Sequence, residues 1–60
     1  KERERIERQL QKIELEISTT HQKMIENAVD FEKLNELSAE LRNLEKRKDE
    51  LENRWLELSD

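Results

Sequence analysis

Residues 34–58 read LNELSAELRNLEKRKDELENRWLEL. Their apolar side chains fall at Leu34, Leu37, Leu41, Leu44, Leu51, Trp55 and Leu58, in steps of three and four with one gap, which Lys48 fills. That spacing is the a/d pattern of a coiled-coil helix, with a at 34, 41, 48 and 55 and d at 37, 44, 51 and 58. A helix cannot hide so narrow a stripe by itself. It needs a second helix along its length.

The first half of the chain supplies one. Ile6, Leu10, Ile13, Ile17, Thr20 and Met24 step by four and three. They set a at 3, 10, 17 and 24, and d at 6, 13, 20 and 27. The two frames do not join, because Asn27 is a d position and Leu34, one heptad on, is an a. A continuous helix would shift its seam where Asn27-Ala28-Val29-Asp30 looks like a turn. Asn27 is expected to end the first helix in a left-handed conformation. Asp30 is a good N-cap, with Glu32 in the first turn on the favourable side of the helix dipole. Lys33 stands where a capping box would place Glu, so no box forms.

The expected fold is all-α, a two-helix antiparallel coiled-coil hairpin forming one domain over residues 1–60. A helix spans about 1–27, a turn about 28–30 and a second helix about 31–59. In such a pair a layers face d layers. Met24 then meets Leu37, Thr20 meets Leu41, Ile17 meets Leu44, Ile13 meets Lys48, Leu10 meets Leu51 and Ile6 meets Trp55. Val29, Phe31 and Ile25 are expected to plug the tip. The run Ser18-Thr19-Thr20-His21 joins four poor helix formers, and fraying or a kink is expected there.

Composition agrees with long helices and excludes much else. The 60 residues hold no Gly, Pro or Cys, and 47% of them are charged. There are few places to turn, no disulfide framework, no thiol chemistry and no zinc site. No apolar run approaches the length of a membrane span, and no signal-peptide pattern appears. A net charge of −4 does not by itself suggest nucleic acid or an anionic membrane. The opening Lys1-Glu2-Arg3-Glu4-Arg5 has no N-cap residue before it. It reads as cut from inside a helix of a longer protein.

Charge divides the expected hairpin by flank and by end. The g positions oppose Glu16 to Arg47 and Lys23 to Glu40. The e positions oppose Glu14 to Glu45 and Glu7 to Glu52, like against like. Lys48 sits beside that acidic edge, its stem expected on Ile13 and its ammonium reaching out to the carboxylates. Residues 14–40, the tip half, hold seven carboxylates and two lysines. The open half is the more basic one. Lys1, Arg5, Arg8 and Lys12 run along the outer face of the first helix, and Arg42, Lys46, Arg47 and Arg54 lie on the second. These cations are either a solvated coiled-coil surface with intrahelical pairs such as Glu4–Arg8 and Glu50–Arg54, or a phosphate-contacting surface. Acids interleave with them, so binding would be weak and salt-sensitive, and no stacking platform supports base readout.

Trp55 is expected to anchor the seam over Ile6, and His21 to lie on the surface. Leu15 and Leu56 fall off the seam, as exposed apolar residues or as a docking strip. No carboxylate has a positioned base, nucleophile or metal-ligand partner, so the segment is not expected to be an enzyme or to hold a cofactor.

Three pieces of the second half carry a family resemblance. They are Asp30-Phe31, then Lys33-Leu34-Asn35-Glu36-Leu37-Ser38-Ala39-Glu40-Leu41, and the closing Glu50-Leu51-Glu52-Asn53-Arg54-Trp55-Leu56-Glu57-Leu58. Together they resemble the C-terminal coiled-coil domain of ABC-F ATPases, in the Uup-like branch. Arg54-Trp55-Leu56-Glu57-Leu58 is the most specific piece, whereas the first helix matches only as a generic Ile/Glu repeat. The resemblance implies a cytoplasmic parent with two ATP-binding cassettes, ATP and Mg held there, no transmembrane domain, and a link to translation and the ribosome. It implies that this hairpin partners the rest of the parent ATPase and binds nucleic acid, DNA in particular, with ribosomal RNA also open. The candidate contacts are Arg5, Arg8, Lys12, Arg42, Lys46, Arg47 and Arg54, on a monomeric hairpin. The alternative is a structural, protein-docking or dimerisation arm that binds no nucleic acid.

Overall fold

Two α-helices, α1 (Glu2–Glu26) and α2 (Phe31–Glu57), account for almost all of residues 1–58, which the computed structural model describes. They fold back on each other as an antiparallel hairpin 47 Å long and 14 × 10 Å across. Residues 27–30 join them at one end. At the other, Arg3 and Glu7 of α1 meet Trp55 of α2. Ser59, where the second helix was expected to end, lies outside the described residues. Within them α2 ends at Glu57, and the Leu58 N–H donates to the carbonyls of Arg54 and Trp55, both at 3.2 Å.

The heptad frames locate the covered surface. Ile6, Ile13, Thr20 and Leu37 are buried, and Leu10, Ile17, Met24, Leu34, Leu41, Leu44, Lys48, Leu51 and Trp55 are half-buried. All of these are a or d residues; Asn27, a d residue at the end of α1, and Ser38, an e residue, are half-buried as well. Only one partner helix is available, so most seam side chains keep an edge in water. Leu58, the last d position, is left exposed, because α1 offers only Arg3 at its level.

Three local expectations need correction. Asn27 does not adopt the left-handed conformation; its φ is −111° and its ψ 32°. The Asn27 backbone N–H and side-chain Nδ2 both donate to the Lys23 carbonyl, at 3.0 and 2.8 Å. The amide side chain thus adds a second bond to a carbonyl of the last turn, with no left-handed residue at the cap. The run 18–21 neither frays nor breaks α1. Thr19 Oγ1 donates to the Leu15 carbonyl at 2.9 Å and Thr20 Oγ1 to the Glu16 carbonyl at 2.8 Å. Each hydroxyl is satisfied within the helix, which lets Thr20 occupy a buried seam position.

The third correction concerns the tip. Ile25, Val29 and Phe31 do not plug it; they are 77%, 91% and 77% exposed. Ile25 follows an a position and points off the stripe. The chain between α1 and α2 is too short to fold a lid over the end. The turn is closed by its own backbone, the Asp30 N–H donating to the Asn27 carbonyl at 3.0 Å. Asp30 does cap α2: its Oδ1 accepts from the Lys33 N–H at 3.1 Å, and its carbonyl accepts from Leu34 at 2.9 Å.

Candidate nucleic-acid interface

The hairpin's two long edges differ in charge. Along the g edge, Lys12, Glu16, Arg47, Glu50 and Arg54 border one groove with Gln9. In the adjoining groove toward the open end, Arg5 joins Gln9, Arg54 and Glu2. Four of the seven sequence candidates, Arg5, Lys12, Arg47 and Arg54, therefore converge from both helices onto one edge. All four are exposed. Arg8, Arg42 and Lys46 are exposed as well, but they stand outside those two grooves, at b and f positions that face away from the seam.

Further toward the tip the same edge carries Glu16 and Arg47 with Lys23 and Glu40, around Leu15 and Leu44. The opposite-sign pairs expected on this edge thus share its grooves. Three carboxylates, Glu2, Glu16 and Glu50, interleave with the four converging cations. The edge presents closely spaced positive groups with little net charge. Phosphates in register with the cations would be contacted, and the field would attract only weakly from a distance.

The e edge is acidic. Glu7, Glu14 and Glu52 surround Leu10, Trp55 and Leu56. The neighbouring groove brings Lys48 together with Glu45, Asp49, Glu52 and Ile17. Lys48 is half-buried at its seam position and borders that groove beside three carboxylates.

Trp55 closes the open end. The Arg3 guanidinium carbon lies 4.3 Å from its ring centroid, a cation–π contact. Its Nε1–H donates to Glu7 Oε2 at 3.2 Å. Ile6, the seam residue expected beneath it, is buried. The sequence assigned Arg3 to a seam position without giving it a task; an arginine at the last seam layer beside a tryptophan was the available signal. The convergence of Arg5 and Lys12 with Arg47 and Arg54 was also missed. Arg5 and Lys12 are c residues, which border the g row of their own helix four residues on.

Among the described residues, no helix is long and apolar enough to cross a membrane. Also among them, no three His, Cys, Asp or Glu side chains gather into a set that could hold a metal ion. Comparison with curated proteins returns no match, and comparison with solved structures returns none. The family model described as ABC transporter C-terminal domain matches residues 1–60, the whole chain, and the protein belongs to that family, as an accessory domain of an ABC-type protein.

Proposed function

We propose that this hairpin is the C-terminal arm of a cytoplasmic, Uup-like ABC-F ATPase that works in translation, and that it serves its parent as an accessory nucleic-acid contact. ATP and Mg belong to the parent's cassettes; the arm itself does no chemistry. Arg5, Lys12, Arg47 and Arg54 contact successive phosphates of duplex DNA or of a ribosomal RNA helix. The observation that supports this reading is the convergence of those four cations from two helices onto one edge. Trp55, the one tryptophan, is engaged by Arg3 and Glu7, and Phe31, the one phenylalanine, stands exposed at the tip, away from the four cations, so neither aromatic lines the two basic grooves. Binding is therefore to the backbone and largely blind to sequence.

The test is a titration of labelled duplex DNA and duplex RNA at low and moderate salt. Four phosphate contacts on a DNA duplex give a slope of log K against log salt of about −3 to −4. Charge reversal at Arg5, Lys12, Arg47 and Arg54 abolishes binding, whereas reversal at Arg8, Arg42 and Lys46 weakens it less. Absence of binding at low salt removes the proposal.

Six exposed large apolar side chains, Leu15, Ile25, Val29, Phe31, Leu56 and Leu58, favour the other reading, an arm that packs on its parent or pairs with a second copy. Sedimentation equilibrium separates the two. A monomer that binds duplexes supports the first, and a dimer indifferent to them supports the second.

A further inference from the structure

The acidic edge is hard to account for within the hairpin alone. Glu7 and Glu14 of α1 share a groove with Glu52 of α2, and Glu45 and Asp49 extend the same edge toward the tip. Lys48 is the one cation among the residues lining these two grooves, and Arg3 lies over the Trp55 ring at the open end; five carboxylates face these two cations. Like charges that face each other across a helix pair oppose its closure. Between them lies apolar surface: Leu10 and Trp55 are half-buried, and Leu56 is 60% exposed. The main groove has a volume of about 710 Å³. It lies between two helices, lined by Glu7 to Glu14 of α1 and Glu52 to Leu56 of α2.

We propose that this edge docks a basic amphipathic helix of a partner protein. The apolar stripe of that helix lies on Leu10, Trp55 and Leu56, and its flanking lysines and arginines face Glu7, Glu14 and Glu52. The charge identifies the occupant. A nucleic acid is repelled by the carboxylates that a Lys- and Arg-flanked helix would neutralise. The shape agrees with it, since a groove between two packed helices is where a third helix lays its apolar face. A third helix would also cover seam residues that a lone partner leaves half in water. The site lies on the edge away from Arg5, Lys12, Arg47 and Arg54, so it does not depend on nucleic-acid binding.

The experiment uses the 60-residue chain and a 28-residue synthetic helix with leucine at its seam positions, lysine beside them and no tryptophan. A matched peptide with glutamate in place of lysine is the control. Trp55 fluorescence and backbone amide shifts are followed. The lysine peptide is expected to give a saturable change in Trp55 emission, with shifts at Leu10, Glu14 and Glu52. The glutamate peptide gives none. Raising salt from 50 to 300 mM weakens binding at least tenfold, and so does the pair Glu14→Lys and Glu52→Lys. Glu14→Gln with Glu52→Gln gives a smaller loss, and far-UV dichroism verifies that each variant is folded. No binding, binding unchanged in the Lys variants, or shifts confined to the Arg5–Arg54 edge would overturn the proposal. So would shifts spread over Ile6, Ile13 and Leu37, the sign of a hairpin opened by the peptide, and so would self-association in sedimentation that excludes it.

Discussion

Trp55 and Glu7, 48 residues apart in sequence, are joined by a hydrogen bond from the indole Nε1–H to a carboxylate oxygen at 3.2 Å. Arg3 lies over the same ring at 4.3 Å. These contacts tie the first turns of α1 to the last turn of α2, where the two helix ends would otherwise fray. Trp55→Ala removes the largest side chain of that layer and uncovers Ile6. Full burial of an aromatic would make the loss about 3–5 kcal/mol; Trp55 is half-buried, so about 2 kcal/mol is expected in urea denaturation followed at 222 nm. Arg3→Ala should lose about 0.5–1 kcal/mol, the usual worth of a cation–π contact near solvent. An Arg3→Ala loss as large as that of Trp55→Ala would show that the guanidinium, not the ring, holds the end closed.

Asp30 begins α2 from an extended conformation, with φ −101° and ψ 95°, and its Oδ1 accepts from the Lys33 N–H. Asp30→Ala leaves that donor to water and should destabilise the hairpin by about 1 kcal/mol, while Asp30→Asn, which keeps an acceptor, should change it by a few tenths. For a domain this small, 1 kcal/mol is a fall of about 4–8 °C in Tm. Equal effects of Ala and Asn would mean that the charge at the helix dipole matters more than the hydrogen bond.

Thr20 is 7% exposed, buried in the seam as Ile6, Ile13 and Leu37 are. Its hydroxyl donates to the Glu16 carbonyl, which is already within the helical ladder. Thr20→Val keeps the β-branched shape, loses a bond the helix does not need and buries a methyl group instead. Stability should rise by about 0.5–1 kcal/mol, a gain of a few degrees in Tm. A fall on substitution would show that the hydroxyl is needed where it stands.

Thr20 also marks where sequence reasoning ran out. The a/d spacing from Ile6 to Met24 and from Leu34 to Trp55 located the covered surface, because a helical period leaves one stripe and a hairpin covers only that. Asp30 was legible as a cap because its side chain acts within four residues. Helix propensity misjudged Ser18 to His21, since it does not register a hydroxyl bonded to its own helix. The tip was misjudged because apolar character alone does not bring Ile25, Val29 and Phe31 into contact. The basic edge was half legible: the cations could be named, but the grouping of Arg5 and Lys12 with Arg47 and Arg54 depends on how far each helix turns its outer row toward its partner.

Lys48 tests the balance between seam and edge. It occupies an a position, half-buried, and borders a groove with Glu45, Asp49 and Glu52. Lys48→Leu completes the leucine row of α2 and should raise Tm by about 5–10 °C, equivalent to about 1–2 kcal/mol for a chain of this size. It also removes the polar a residue that restricts pairing, so sedimentation of the variant should reveal species larger than the wild-type chain forms. Lys48→Glu adds a fourth carboxylate to that groove, loses apolar stem, and should lower stability by more than 1 kcal/mol. The two substitutions separate the roles. If Lys48→Leu also lowers Tm, the ammonium is required to hold the acidic edge together, and the leucine row gains less than the carboxylates lose.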